Sequence, residues 1–147
     1  KNGNVNERYW AAISLRNGFF DNVDMHQNVS EWMNDFAPSV RIEIAAWLAC
    51  FPDQREVALD RLVEDLEHSD WAVALQACRA IELLGPKAKR VLEPMKRIYA
   101  KTRNEPGDNN FFIAFSSGAF LDKLGEKTVP WDFTPGAGSF MPPKKKK

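Results

Sequence analysis

Residues 40–52, VRIEIAAWLACFP, and residues 73–85, VALQACRAIELLG, can be written over each other without a gap. Two further stretches fall into the same register, ERYWAAISLRNGF at 7–19 and IAFSSGAFLDKLG at 113–125. The starts lie 33, 33 and 40 residues apart. The fifth and sixth positions are mostly small: Ala11 and Ala12, Ile44 and Ala45, Ala77 and Cys78, Ser117 and Gly118. The ninth is always large and aliphatic: Leu15, Leu48, Ile81 and Leu121. Small residues let neighbouring helices approach closely, and aliphatic ones three and four positions on fill the same face. A fixed period of this length marks a chain of stacked supersecondary units.

The stretches between these segments repeat as well. Counted from each start, offset 22 holds Val29, Leu62 and Met95, and offset 26 holds Met33, Leu66 and Tyr99. Those are i and i+4 on one face of a second helix in each unit. Breakers fall where turns are needed, at Phe51-Pro-Asp, Gly85-Pro-Lys and Arg103-NEPGDNN, the last absorbing the longer spacing. Pro38 suits the first turn of the helix around Val40, where its missing N–H costs nothing. Pro94 is predicted inside a helix, which it should kink or split. No stretch alternates with period two, so no strands are predicted.

The pattern Asp35-FAPS-VR-IEIAAWL resembles the HEAT-like repeat, in which an Asp closes one helix and Val-Arg opens the next. Arg8 and Arg41 hold the Arg position, whereas Ala74 and Ala114 replace it in the later units. The resemblance covers residues 7–125. It implies an all-α, right-handed α-solenoid of HEAT-like helix pairs with about seven helices. The expected organisation is a solenoid over 1–125 and a non-helical C-terminal tail over 126–147, with Trp131 and Phe133 folded back on the last helix. The tail ends in the Lys144–Lys147 run.

A narrower resemblance joins NERYWAAISLRNG (6–18) and VALQACRAIELLGPKAKRVLEPMKRIYA (73–100). They are similar to the helical C-terminal extension of some bacterial sulfatases. The resemblance implies a separate α/β catalytic domain, a sulfuric ester hydrolase, carrying calcium and a formylglycine made within C/S-x-P-S-R. It also implies a periplasmic or extracellular location. Neither group belongs on this chain. The nearest string, Phe36-Ala37-Pro38-Ser39-Val40-Arg41, has Phe36 where the modified residue should stand, and Val40 displaces the Arg. It reads as a turn and a helix start. No catalytic residue is therefore predicted.

Composition agrees with a globular chain of 147 residues, 44% hydrophobic and 27% charged. Lys plus Arg and Asp plus Glu are 20 each, a balance that lacks the basic footprint of a nucleic-acid binder. No apolar run approaches the roughly 20 residues that cross a bilayer, so no membrane partner is expected. The opening KNGNVNERYW has neither Met nor an apolar core, which reads as a fragment or processed product. His26 and His68 lie 42 residues apart, with no H-E-x-x-H or C-x-x-C spacing, so no metal or cofactor site is predicted. Cys50 and Cys78 read as buried free thiols at different heights on adjacent helices.

Two surface features carry the partner expectations. The helices of the repeated segment are apolar nearly all round, with Tyr9, Trp10 and Ile13 in the first, Ile42 and Trp47 in the second, and Phe111, Phe112, Phe115 and Phe120 in the last. Such helices are buried on more than one side. The chain begins on one whose outer cover is missing, so Tyr9, Trp10, Ile13 and Ile42 form the predicted docking face, closed by a parent catalytic domain, another protein chain or a homodimer. Charge is uneven: residues 53–70 are acidic, and residues 87–103 are basic. Two solvated faces attracting each other is the plainer reading. A patch of Lys87, Lys89, Arg90 and Arg97 meeting an anionic partner or sulfated glycan is the other. The function expected is a non-catalytic docking and stabilising segment of a bacterial sulfatase, or else a free-standing HEAT-type interaction module. A HEAT-like enzyme, such as a bilin lyase or a helical DNA glycosylase, is a further class, and the glycosylase would need a basic concave groove that a neutral chain with an apolar inner face does not offer.

Overall fold

The computed structural model of the chain describes residues 3–18, 25, 28–105 and 107–130. Among the described residues the protein is all-helical, with no strand. Helix α1 spans Val5–Gly18, α2 Pro38–Leu48, α3 Arg55–Leu66, α4 Trp71–Leu84, α5 Leu92–Asn104 and α6 Asp108–Lys123. Short 3-10 segments occupy Ser30–Asn34 and Gly85–Val91. His26, Trp131, Phe133 and the terminal lysines lie outside the described residues.

Three of the helix starts have a local cause. At α1, the Asn4 side chain accepts from Glu7 N (3.0 Å) and Glu7 Oε2 accepts from Asn4 N (2.9 Å), a reciprocal capping box. Pro38 opens α2 as expected. At α4, Asp70 accepts from Ala72 N at 2.9 Å. Gly85 ends that helix with φ +54°, a conformation only glycine adopts without strain. Pro94 neither kinks nor splits a helix. The chain runs 3-10 to Val91, and Pro94 falls in the first turn of α5, where no N–H is needed. The non-helical residue is Ala88 instead.

The segments that repeat in sequence pack side by side: α1 against α2, α2 against α4, α4 against α6. The intervening elements form a second layer, with Ser30–Asn34 on α2, α3 on α2 and α4, and α5 on α6. The core lies between. All of the ninth-position residues, Leu15, Leu48, Ile81 and Leu121, are buried in it. So are Val29, Leu62 and Met95, and Met33, Leu66 and Tyr99 from the facing layer. In the first unit, Met33 sits on a 3-10 turn rather than an α-helix. Gly118 lets α6 close on α5, because a Cβ there would lie 3.1 Å from Tyr99 Cε2.

Polar bonds tie the layers together at one end. Arg8 Nε donates to Asp35 at 2.7 Å, with the Phe36 ring 4.7 Å from its guanidinium carbon. Arg41 Nε reaches both Asp65 oxygens at 3.0 Å, and its Nη2 lies 2.5 Å from Oδ1. Each Arg of the repeat thus binds the Asp that closes its own unit. Ala74 and Ala114 leave the later units without this pair.

Residues 126–130 run extended from α6 back over α5. Val129 N donates to Tyr99 OH at 3.0 Å, and Arg103 Nη2 donates to Pro130 O at 3.2 Å.

Candidate functional site

A groove of about 670 Å³ opens along α4, on the side away from the second layer. Its floor is Trp71, Leu75, Gln76, Arg79 and Leu83. One wall carries Glu43 and Arg16, and the other Phe112, Phe115 and Ser116. Helical spacing explains the floor, since 71, 75, 79 and 83 recur every four residues on one face of α4. The lining mixes large apolar side chains that stand out to solvent with two arginines, Arg16 and Arg79. Leu83, Phe112 and Trp71 are 59%, 52% and 44% exposed.

Two carboxylates are buried beneath this rim. Glu82 accepts from Ser116 Oγ at 2.8 Å and pairs with Arg79 on its own helix. Lys123 Nζ lies 3.4 Å from its other oxygen. Glu43 Oε2 sits 2.5 Å from Arg16 Nη1, and Gln76 Nε2 lies 3.4 Å from Oε1. Burial works to raise the Glu82 carboxyl, but the Arg79 and Ser116 hydrogen bonds and the Arg79 and Lys123 charges outweigh it, holding it below the usual carboxylate range. A group so held is a poor proton donor near neutral pH. The fully buried Cys78 thiol is pushed by desolvation up to about 12, so it stays protonated and is a weak nucleophile. Neither group is poised to exchange a proton near neutral pH.

Asp35 behaves like Glu82: burial would raise it, and the Arg8 and Ala37 N–H bonds with the Arg8 charge bring it down. Both carboxyls are depressed on folding. Their contribution is fully present above their unfolded values, near 4.5 for Glu82 and 3.8 for Asp35. It is lost as pH falls from there through the folded values. A melting series should thus show the midpoint falling as pH drops below 4.5, with a shallower fall in Glu82→Gln. An equal slope in that variant would remove Glu82 from the account.

The expected docking face is rearranged. Trp10 is 64% exposed and its ring lies tilted against Tyr9 with centroids 5.8 Å apart; Tyr9 is half-buried, as is Ile13. Ile42 does not belong to that face. It is fully buried, because α2 has α1, α3, α4 and the Ser30–Asn34 turn around it, and residues 42–49 are buried without a break. Nor do the four basic residues act as one open patch. Arg90 binds Glu56 at 2.6 Å and Asp60 at 2.7 Å, and Arg97 binds Glu67 at 3.3 Å, across to the acidic α3. Lys87 and Lys89 are exposed beside them. Exposed pairs of this kind contribute about 0–1 kcal/mol each.

Cys50 and Cys78 are free thiols. His68 is exposed and its Nδ1 accepts from Asp70 N at 3.0 Å. Among the described residues no group of three or more His, Cys, Asp or Glu is assembled to hold a metal, and no helix is long and apolar enough to cross a membrane. Sequence reasoning missed Glu82, Ser116 and Arg79. The available signal was a charge at 82 between Ile81 and Leu83, and a serine pair at 116–117 in an otherwise aromatic helix. No protein-family model, curated protein or solved structure matches the chain.

Proposed function

We propose that this chain is a non-catalytic docking and stabilising segment, built as a right-handed HEAT-like α-solenoid, whose partner surface is the groove along α4. The observation that carries the reading is the apolar rim. Trp71, Leu83 and Phe112 stand about half exposed along one groove. Large apolar side chains gathered on one surface mark interaction sites. The side-by-side contacts of α1, α2, α4 and α6, backed by a second layer, are the arrangement a helix-pair solenoid requires.

The narrower part of the proposal is that the segment is the C-terminal accessory part of a bacterial sulfatase. It rests on the resemblance carried by residues 6–18 and 73–100, and its coding sequence upstream of Lys1 should then contain C-x-P-S-R or S-x-P-S-R. An upstream frame without either motif defeats that parentage and leaves the free-standing module.

Two measurements address the docking role. Sedimentation of the chain at rising concentration should show self-association that Leu83→Gln/Phe112→Gln relieves. Strict monomers throughout, with no uptake of a hydrophobic dye, would defeat an exposed docking rim. In assays of aryl sulfate hydrolysis with and without calcium, the purified chain should be inactive. Turnover that persists through purification and vanishes on changing one of its residues overturns the non-catalytic role.

A further inference from the structure

Resting on the docking reading, we infer that the groove along α4 receives an amphipathic helix that carries acidic residues beside its apolar stripe. Charge is the discriminating feature. The carboxylates in the groove point inward: the side chains of Glu43 and Glu82 are only 10% and 7% exposed. Their cationic partners face out, with Arg16 at 33%, Arg79 at 55% and Lys123 at 47%. The chain is neutral overall, yet the groove shows a visitor the guanidinium heads of Arg16 and Arg79 and hides the matching anions.

Shape and chemistry agree with a helix. The stretch of α4 from Trp71 to Leu83 spans roughly 18 Å at about 1.5 Å per residue, the length of some three turns. Leu83, Trp71 and Phe112 offer contacts for side chains at i, i+4 and i+7, the helix-in-groove mode of recognition. Arg79 stands midway along the floor, so a Glu or Asp flanking the apolar stripe would meet it. A guanidinium already bonded to Glu82 retains donors for a second carboxylate. A basic helix would instead be repelled at Arg16 and Arg79 with no exposed carboxylate in the groove wall to receive it.

The test uses the full chain and a set of labelled synthetic helices of equal length, sharing a Leu/Phe stripe and flanked by Glu, Gln or Lys. Binding is read by fluorescence anisotropy at low and high salt. The Glu-flanked helix should bind at least tenfold more tightly than the Lys-flanked one, with the gap closing in high salt. Arg79→Gln should erase most of that preference while leaving the Gln-flanked helix unaffected. Leu83→Gln/Phe112→Gln should weaken all three helices, and circular dichroism on each variant separates lost binding from lost folding.

Equal or tighter binding of the Lys-flanked helix overturns the acidic partner but leaves the docking groove standing. So does a chain that binds no helix yet self-associates through Leu83 and Phe112. Binding to phosphatidylglycerol vesicles with no helix bound overturns it in favour of an anionic lipid surface. A monomer that binds none of these probes defeats both the partner and the docking reading.

Discussion

Arg41→Met is expected to cost about 3–5 kcal/mol, because it strands a carboxylate that the fold has taken out of water. The Asp65 side chain is 2% exposed, and Arg41 supplies three of the contacts that compensate it, two at 3.0 Å and one at 2.5 Å. Met keeps the length and apolar volume of the side chain but offers no donor. The double variant Arg41→Met/Asp65→Leu should recover much of the loss, since removing both charges leaves nothing unpaired. Arg8→Met is the internal comparison: its partner Asp35 also accepts from Ala37 N at 2.9 Å, so it keeps one donor and should lose less. Denaturant melts of the four proteins decide it. A loss below about 1 kcal/mol for Arg41→Met would place the pair among ordinary surface ion pairs.

How far the sequence reached depends on the kind of fact. Periodicity reports which face of a helix turns inward, and that was legible. Leu15, Leu48, Ile81 and Leu121 were assigned to the core by their shared ninth position, and all are buried. The turn at Phe51-Pro-Asp and the end of an α-helix at Gly85 were legible too, although Gly85-Pro-Lys runs on as 3-10 helix rather than as a turn. What periodicity does not report is how many neighbours a face has. Trp10 and Ile42 are both large and apolar, yet one is exposed and the other sealed, because among the described elements α2 has α1, α3, α4 and the Ser30–Asn34 turn against it, whereas α1 packs chiefly on α2.

Contacts between units were hidden for the same reason. The Ser116–Glu82 bond joins residues 34 apart, and nothing in either residue names the other. The groove followed this pattern. Its aromatic wall could be seen as excess apolar character in the last helix, whereas the inward turn of its carboxylates exists only once α2, α4 and α6 are assembled.

Ile81→Ala should cost about 2–5 kcal/mol, the range for emptying a large aliphatic site in a packed interior. For a domain of this size that corresponds to a fall of roughly 6–15 °C in melting midpoint, at about 3 °C per kcal/mol. Ile81 is fully buried at the ninth position of its repeat, on the helix that touches α2, α3 and α6. A cavity there would open in the packed interior, where the surroundings relax only in part. Leu83 makes the comparison sharp: it is two residues along the same helix, equally apolar, and 59% exposed. Leu83→Gln keeps helix propensity and should stay within about 0.5 kcal/mol of wild type, the range of ordinary surface changes. The two substitutions therefore separate burial from composition. If Leu83→Gln proved the costlier of the pair, α4 would be turned the other way, and the groove would be core rather than surface.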